Sequence, residues 1–587
     1  MPAQSEVDLE KQSSGTTAAH SEAAEEQQER ADNVPDLDDE KAGHQKQGTV
    51  SSKKSTKFAP FQTPNYNQAG GQAGEGAKVT RTFSRRDPSL HQHDSHIFGG
   101  DLQTQNHEDT LTRFQSQAGK DVVTVHWEGE DDPENPKNWG RLYRWYLTGL
   151  AGLLVLNSTF TSSAPAGVAP ALVQEFGFST EVAVLTISMF VAGYCLGPLI
   201  WGPLSERVGR RPVFLIALLC YTGMNVGCAL APNTAAIIVF RFLAGAFGAS
   251  PLTNSGGVIA DIWDADTRGD AMAIFSIAPF AGPAISPIVS GFIYVTGTDW
   301  RWLFWVCTIF SGVCLIITAI TLPETYAPAI MQRKAKRIRK ETGDERYKAP
   351  LDLAKVDAST LLHSIFAKPW IMLAQEPMLL AITLYMAFVY GVLYLLFEAY
   401  PIVFEEGHGF NAGVEGLMFL AFFIGGVIAV VIFMTVFNPR YVKLMKAQPK
   451  GGRVPPEERL LPVMVAAPAL VISLFWFAWT SYPSISYWSP MLAGGLLGLA
   501  LLFIFVGLFN YIVDAYLMSA ASALSGNTVV RSAFGAGFPL FARQMFQKLG
   551  TQWAASLLGF IALLMVPIPL LLYKFGSRVR AWSKNAH

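Results

Sequence analysis

Four ionisable residues stand inside long apolar runs of this 587-residue chain: Arg241, Glu398, Asp514 and Arg531. In hydrocarbon a carboxylate loses the hydration of its charged form, so it holds a proton more readily; a guanidinium beside it has the opposite effect. Asp514 first, and Glu398 second, are therefore the groups able to load a proton on one side of a membrane and release it on the other. Asp514 can equally be a fixed partner of Arg531 or a helix-end contact, and Glu398 can simply line an outer vestibule. Arginine at that depth is expensive, so Arg241 needs a cavity or a polar partner, with packing or snorkelling as the alternative.

Aromatic and amide groups accompany these charges. Tyr385, Tyr390, Tyr394 and Phe397 follow one another at offsets of 5, 4 and 3, so the last three share a helix face. Such a face can stack planar or cationic molecules, although lipid-facing or helix–helix packing uses the same residue types. Asn510 and Tyr511 join Asp514 as polar groups for a cavity wall, and Asn157 and Ser158 offer another. Asn157 opens a glycosylation pattern but lies within an apolar run, where it is better placed to line a cavity.

Other chemistry lacks its residues. No GxxxxGK[ST] exists, and no GxSxG, HExxH or Cys/His cluster follows the polar N-terminal segment, so ATP-driven and hydrolytic readings find no support. The five cysteines lie in apolar stretches without a CxxC pair and read as small buried hydrophobes. Seven of the ten histidines fall in the first 126 residues; His91, His93 and His96 could together ligate a metal, but the polar sequence around them favours a solvated segment. No cofactor and no metal is expected.

The elements that must position these groups are membrane spans. Half of the residues (50%) are hydrophobic and only 16% charged, against about 25% charged in soluble domains. The net charge of −1 averages two unlike parts. Residues 1–144 carry 24 acids and 16 bases, a net of −8; the other 443 carry 29 bases and 22 acids, a net of +7. Residues 1 to about 130 have too few large hydrophobes to offset chain entropy and read as disordered. Within them Ser84 and Ser89 flank arginines, a pattern suited to basophilic kinases or simply to a solvated tether.

A helix crossing hydrocarbon needs about 20 mostly apolar residues. Twelve runs qualify, near 145–166, 183–203, 213–231, 235–258, 271–295, 302–322, 378–402, 414–437, 460–480, 490–518, 527–547 and 551–573, with ten or eleven as the alternative. The expectation is an all-α integral membrane protein: a cytoplasmic tail 1–140, a six-helix half 141–322, a linker 323–377, a second half 378–575 and a tail 576–587. Bases set the orientation. The linker holds ten, the stretch 440–459 six and the residues after the last run (574–587) four, which places both termini in the cytoplasm. The linker's run from Arg333 to Lys340 reads as a surface helix able to meet anionic lipid headgroups, or as a solvated linker.

The loop after the second run reads Gly202-Pro-Leu-Ser205-Glu206-Arg207-Val-Gly209-Arg210-Arg211, in which glycines permit a tight turn and the charges can form a network that breaks as two halves rock. It closely resembles the loop signature of the major facilitator superfamily, G-x-L-S-D-R-x-G-R-R, with Glu206 replacing the usual aspartate. Arg241 and the following Gly245 and Gly248 resemble that superfamily's intramembrane arginine motif. The series Gly282-Pro283-Ala-Ile-Ser286-Pro287 resembles its proton-antiporter signature, with Ser286 where a glycine is usual. Asn135-Pro136-Lys137-Asn138-Trp139, Trp300-Arg301-Trp302, Leu322-Pro323-Glu324-Thr325-Tyr326 and Tyr511 to Tyr516 narrow the resemblance to fungal twelve-span drug:proton antiporters over about residues 132–575.

That resemblance implies a plasma-membrane exporter working by alternating access, in which proton entry drives an amphipathic or cationic small molecule, such as a drug or polyamine-like compound, outward. A dedicated exporter of one secondary metabolite, organic acid or glycolipid fits the same scaffold, and the long tail also permits a non-transporting nutrient receptor. The partners implied are a small-molecule substrate and the lipid bilayer, with no nucleic acid and a functional monomer.

Overall fold

The computed structural model describes residues 122–129, 131–353, 363–448, 454–583 and 585–586. His91, His93, His96, Ser84 and Ser89 lie outside the described residues. Hydrocarbon offers no partner for backbone N–H and C=O groups, so apolar runs of this length satisfy them internally as helices. The first half contains α1 (Arg141–Ser163), α2 (Thr180–Val208), α3 (Arg210–Ala229), α4 (Thr234–Ile262), α5 (Thr267–Val295) and α6 (Arg301–Thr321). The second contains α7 (Pro377–Gly407), α8 (Ala412–Ala447), α9 (Pro456–Thr480) and α10 (Trp488–Tyr516), followed by the continuous helical run Ala520–Trp582.

Among the described residues, ten runs are long and apolar enough to cross a membrane. Two facts reconcile ten with the expected twelve. The run Ala520–Trp582 turns at Gly550, whose φ of 75° no helix contains, giving α11 (520–549) and α12 (551–582). The 23-residue α1 ends in the polar stretch 157–163, all of it buried against protein, so its modest hydropathy does not reflect lipid exposure.

The two halves meet along α2 with α11 and α5 with α8. The glycine-proline helix α5 serves both kinds of contact. A Cβ on Gly282 would collide with Thr159 and the backbone of Phe160 in α1. Across the halves, a Cβ on Gly416 of α8 would stand 2.6 Å from the Pro287 carbonyl oxygen. Small residues thus let backbones approach where lipid supplies no driving force between helices.

One boundary shifts. The expected tail runs to 140, yet residues between 123 and 134 pair with the linker and Pro136–Asn138 pack against α4. β1 (Val123–Thr124) pairs in parallel with β2 (Tyr347–Lys348), and Val125 packs with Ala335 and Ala349. Asn135 accepts the Lys137 N–H at 3.2 Å, forming the turn that leads into α1. The basic linker run forms the helix Ala327–Thr342. Much of its charge is met by protein: Lys334 is buried, 2.9 Å from Glu128 and 3.1 Å from Asp132, and Arg337 lies 2.9 Å from Glu134.

Candidate functional site

At the end of the bundle that carries the basic loops, the signature loop forms a charge cluster. Gly209 has φ 101°, and a Cβ there would strike the Glu324 carboxylate. That carboxylate accepts the Arg210 backbone N–H at 2.8 Å, the Tyr326 N–H at 3.1 Å and an Arg333 guanidinium N–H at 3.2 Å. The Arg210 side chain donates to Asp261 Oδ2 at 3.2 Å and to Ser205 Oγ at 2.6 Å, and lies over the Tyr326 ring. Thr325 also donates to Asp261, at 3.2 Å. Gly202, Glu206 and Arg207 lie in the last turns of α2, Arg207 exposed. Arg211 turns away to donate to the Ala319 carbonyl at 2.9 Å.

A second cluster occupies the same end of the other half. Arg459 Nε donates to Asp514 Oδ2 at 2.8 Å, Tyr441 donates to the same oxygen at 3.2 Å, and the Arg459 guanidinium lies 3.4 Å from the centre of the Tyr441 ring. Beside it Glu457 pairs with Arg580. Asp514 is therefore a helix-end contact, and its partner is Arg459 rather than Arg531. Asn510 donates to the Val506 carbonyl of its own helix, and Tyr511 donates to the Met378 sulfur. Neither is brought to the aromatic face of α7.

The interior is organised around two arginines with opposite surroundings. Arg241 is fully buried and donates to three backbone carbonyls, those of Thr186 at 2.7 Å, Thr161 at 2.9 Å and Ser162 at 2.8 Å. Two of these belong to the last turn of α1, whose carbonyls lack helical partners and favour a cation. Arg241 thus staples α1 to α2 and α4, with the Phe190 ring 4.2 Å away.

Ser162 carries the connection across the halves. Its hydroxyl donates to the Thr159 carbonyl at 2.7 Å, so the Tyr394 hydroxyl, 2.9 Å away, donates to Ser162. Tyr390 meets Tyr394 edge-on at 5.1 Å, and Tyr394 meets Phe397 at 5.7 Å, so the predicted face of α7 is one aromatic column. Arg531 lies over Tyr390 at 4.7 Å and near Phe505 at 5.4 Å. Asn157 is buried in the first half, and neither polar atom of its side-chain amide has a hydrogen-bond partner among the described residues.

Glu398 continues the α7 face one turn beyond Tyr394. It is buried and, among the described residues, has no hydrogen bond or ion pair. Glu415, buried in the first turn of α8, has one carboxylate oxygen without a partner. Sequence reading passed over Glu415, Asp261, Tyr441 and Arg459. Asp261 and Asp514 occupy the last turn of the fourth helix in each half, a recurrence that would have paired them.

Residues 150–538 match the profile of the Major Facilitator Superfamily. The chain is 44% identical over 466 residues to the major facilitator superfamily multidrug transporter mdrA of Aspergillus fumigatus, covering 79% of this chain and 76% of that protein. It is 40% identical over 465 residues to the ascochitine biosynthesis cluster MFS transporter of Didymella fabae, covering 79% and 89%. Among solved structures, the proton:xylose symporter XylE shares the fold, with a TM-score of 0.51 at 18% identity over 74% of this chain and 96% of that one.

Proposed function

The chain belongs to the major facilitator superfamily and is a transporter, and on that premise we propose that it exports amphipathic small organic molecules in exchange for protons, by alternating access. The observation that carries the proton step is the contrast among buried carboxylates. Asp514 is held by a guanidinium and a phenol, whereas Glu398 makes no ion pair among the described residues and stands one turn from Tyr394, whose hydroxyl bridges the halves. A carboxylate committed to an arginine is already occupied; one on the inter-half face can gain and lose a proton as access alternates. Glu398 therefore replaces Asp514 as first candidate, with Glu415 second.

Rocking of the halves opens and closes the contacts of α5 with α8 and α2 with α11. Both termini are cytoplasmic, the basic face lies inside, the plasma membrane is the location, and the monomer is the working unit. Relatives named as a multidrug transporter and as a biosynthetic-cluster transporter support export, whether of many compounds or of one endogenous product.

The test uses proteoliposomes with an imposed pH gradient and a substrate panel, with Arg241→Ala as a transport-dead control. Glu398→Gln is expected to lose gradient-driven efflux at least tenfold while keeping substrate-for-substrate exchange. Full gradient-driven efflux by that variant removes Glu398 from the mechanism.

A further inference from the structure

We propose that Arg531 anchors an organic anion, a carboxylate carried on a planar ring, in a central site between the halves. The inference rests on the transporter reading above and names the substrate class of that transporter. Arg531 lies eleven residues into α11, about 16 Å along its axis at ~1.5 Å per residue, near the middle of a hydrocarbon layer roughly 30 Å thick. At this depth an arginine without an acid is costly to keep charged.

The other interior arginines show what satisfaction looks like. Arg241 has three carbonyls, and Arg210 and Arg459 each have an aspartate. Arg531 has none of these. Among the described residues it makes no hydrogen bond or ion pair, and its Nε is buried without a partner. Its neighbours are the faces of Tyr390 and Phe505, which attract a cation but offer no acceptor for its N–H fork. Asp514, the acid that sequence offered it, is taken by Arg459, and Glu398 makes no ion pair among the described residues.

The surroundings give the remainder of the ligand. Phe280, from the first half, meets Phe505 edge-on at 5.6 Å, and the Cys195 thiol of α2 lies 3.5 Å from the carbonyl of Val529, two residues before Arg531. Both halves therefore reach the site. Gly535, one turn above, lets the Tyr390 ring close in: a Cβ there would stand 2.8 Å from the ring. A guanidinium fork matches a carboxylate with two parallel hydrogen bonds, and the aromatic walls match a ring. The cationic substrates expected from the aromatic face alone would meet Arg531 as a like charge.

The experiment compares 2-naphthoate with its neutral isostere 2-naphthamide and with 2-naphthylmethylammonium. Binding is measured by equilibrium dialysis on purified full-length protein in nanodiscs, and flux in proteoliposomes. Wild type is expected to bind naphthoate at least tenfold more tightly than the other two. Arg531→Gln is expected to erase that preference by weakening naphthoate alone, and Arg531→Lys to restore part of it; an unchanged elution profile and melting temperature show that the variants fold. Equal naphthoate binding by Arg531→Gln, a wild-type preference for the amine, or no binding of naphthoate overturns the site. Naphthoate binding that needs Arg531, without flux under any gradient, instead overturns the transport reading and leaves the site standing.

Discussion

At the basic face the two halves use the same pair of residue types differently. In the first, Arg210 opens α3 and meets Asp261 in the last turn of α4; in the second, Arg459 in the first turn of α9 meets Asp514 in the last turn of α10. Both pairs are buried, with side-chain exposures of 9% and 9% against 11% and 7%. The first pair is over-determined: Arg210 also donates to Ser205, Asp261 also accepts from Thr325, and Glu324 fixes the Arg210 backbone. The second has Tyr441 as its added partner, and Asp514 Oδ1 has no hydrogen bond among the described residues. A repeated fold has thus been given a braced hinge point and a looser one, and the looser one should yield first when the halves separate.

The largest expected effect breaks the looser pair. Asp514→Ala leaves a buried guanidinium without its acid, a loss of about 3–5 kcal/mol, read as a fall in melting temperature and in surface level. Asp261→Ala should cost less, because Arg210 retains Ser205. Replacing both Arg459 by Met and Asp514 by Leu should recover most of the stability, since matched apolar side chains carry no desolvation cost. An equal or larger loss for Asp261→Ala would remove the distinction between the halves.

A smaller effect tests what braces the first pair. Gly209 combines φ 101° with ψ 163°, a region that side chains avoid at a cost of about 1–3 kcal/mol, and a Cβ there would displace Glu324. Gly209→Ala is expected to lose about 2–3 kcal/mol and to lower transport rate along with melting temperature. A variant that melts like wild type would show that Glu324 moves aside freely and braces nothing.

Sequence made the helices legible because their determinant, length of apolar run, is local. It made the loop 202–211 legible because a tight turn needs glycine and arginine at fixed spacing. Partners were harder to see. Asp514 and Arg459 are 55 residues apart in sequence, and a carboxylate's role depends on which cation the fold brings to it. Leu322 to Tyr326 was visible as a motif, but its work, Glu324 holding Arg210 and Thr325 holding Asp261, exists only once α4 and α6 end side by side. Arg531 looked like a partner for an acid, and its isolation follows from what α7, α10 and α11 place around it.

The smallest expected effect concerns a support that the first half has and the second has not been given. Arg333 donates to Glu324, so the helix Ala327–Thr342 is tied to the braced pair, and that helix is in turn held by Lys334 between Glu128 and Asp132. The Glu128 N–H, ahead of burial and the other contacts, holds the Asp132 carboxyl below its ordinary range. Its share of stability is present above the unfolded pKa and is lost as pH falls through the lower native value. Burial opposes the Lys334 charge, but Glu128 and Asp132 outweigh it and raise its pKa. That share is present below the ordinary lysine value and is lost as pH rises through the higher native one. Between those limits the clasp should not respond to pH, so hydrogen exchange across 327–342, corrected for intrinsic rate, should be flat from about pH 5 to 9. Lys334→Met should speed it by about tenfold, as expected for losing a charged hydrogen bond worth about 1.5 kcal/mol. If the clasp braces the first pair, the same variant also raises exchange near 209–211 and leaves 456–460 unchanged. Faster exchange confined to 327–342 would mean that Glu324 holds Arg210 without help from the linker.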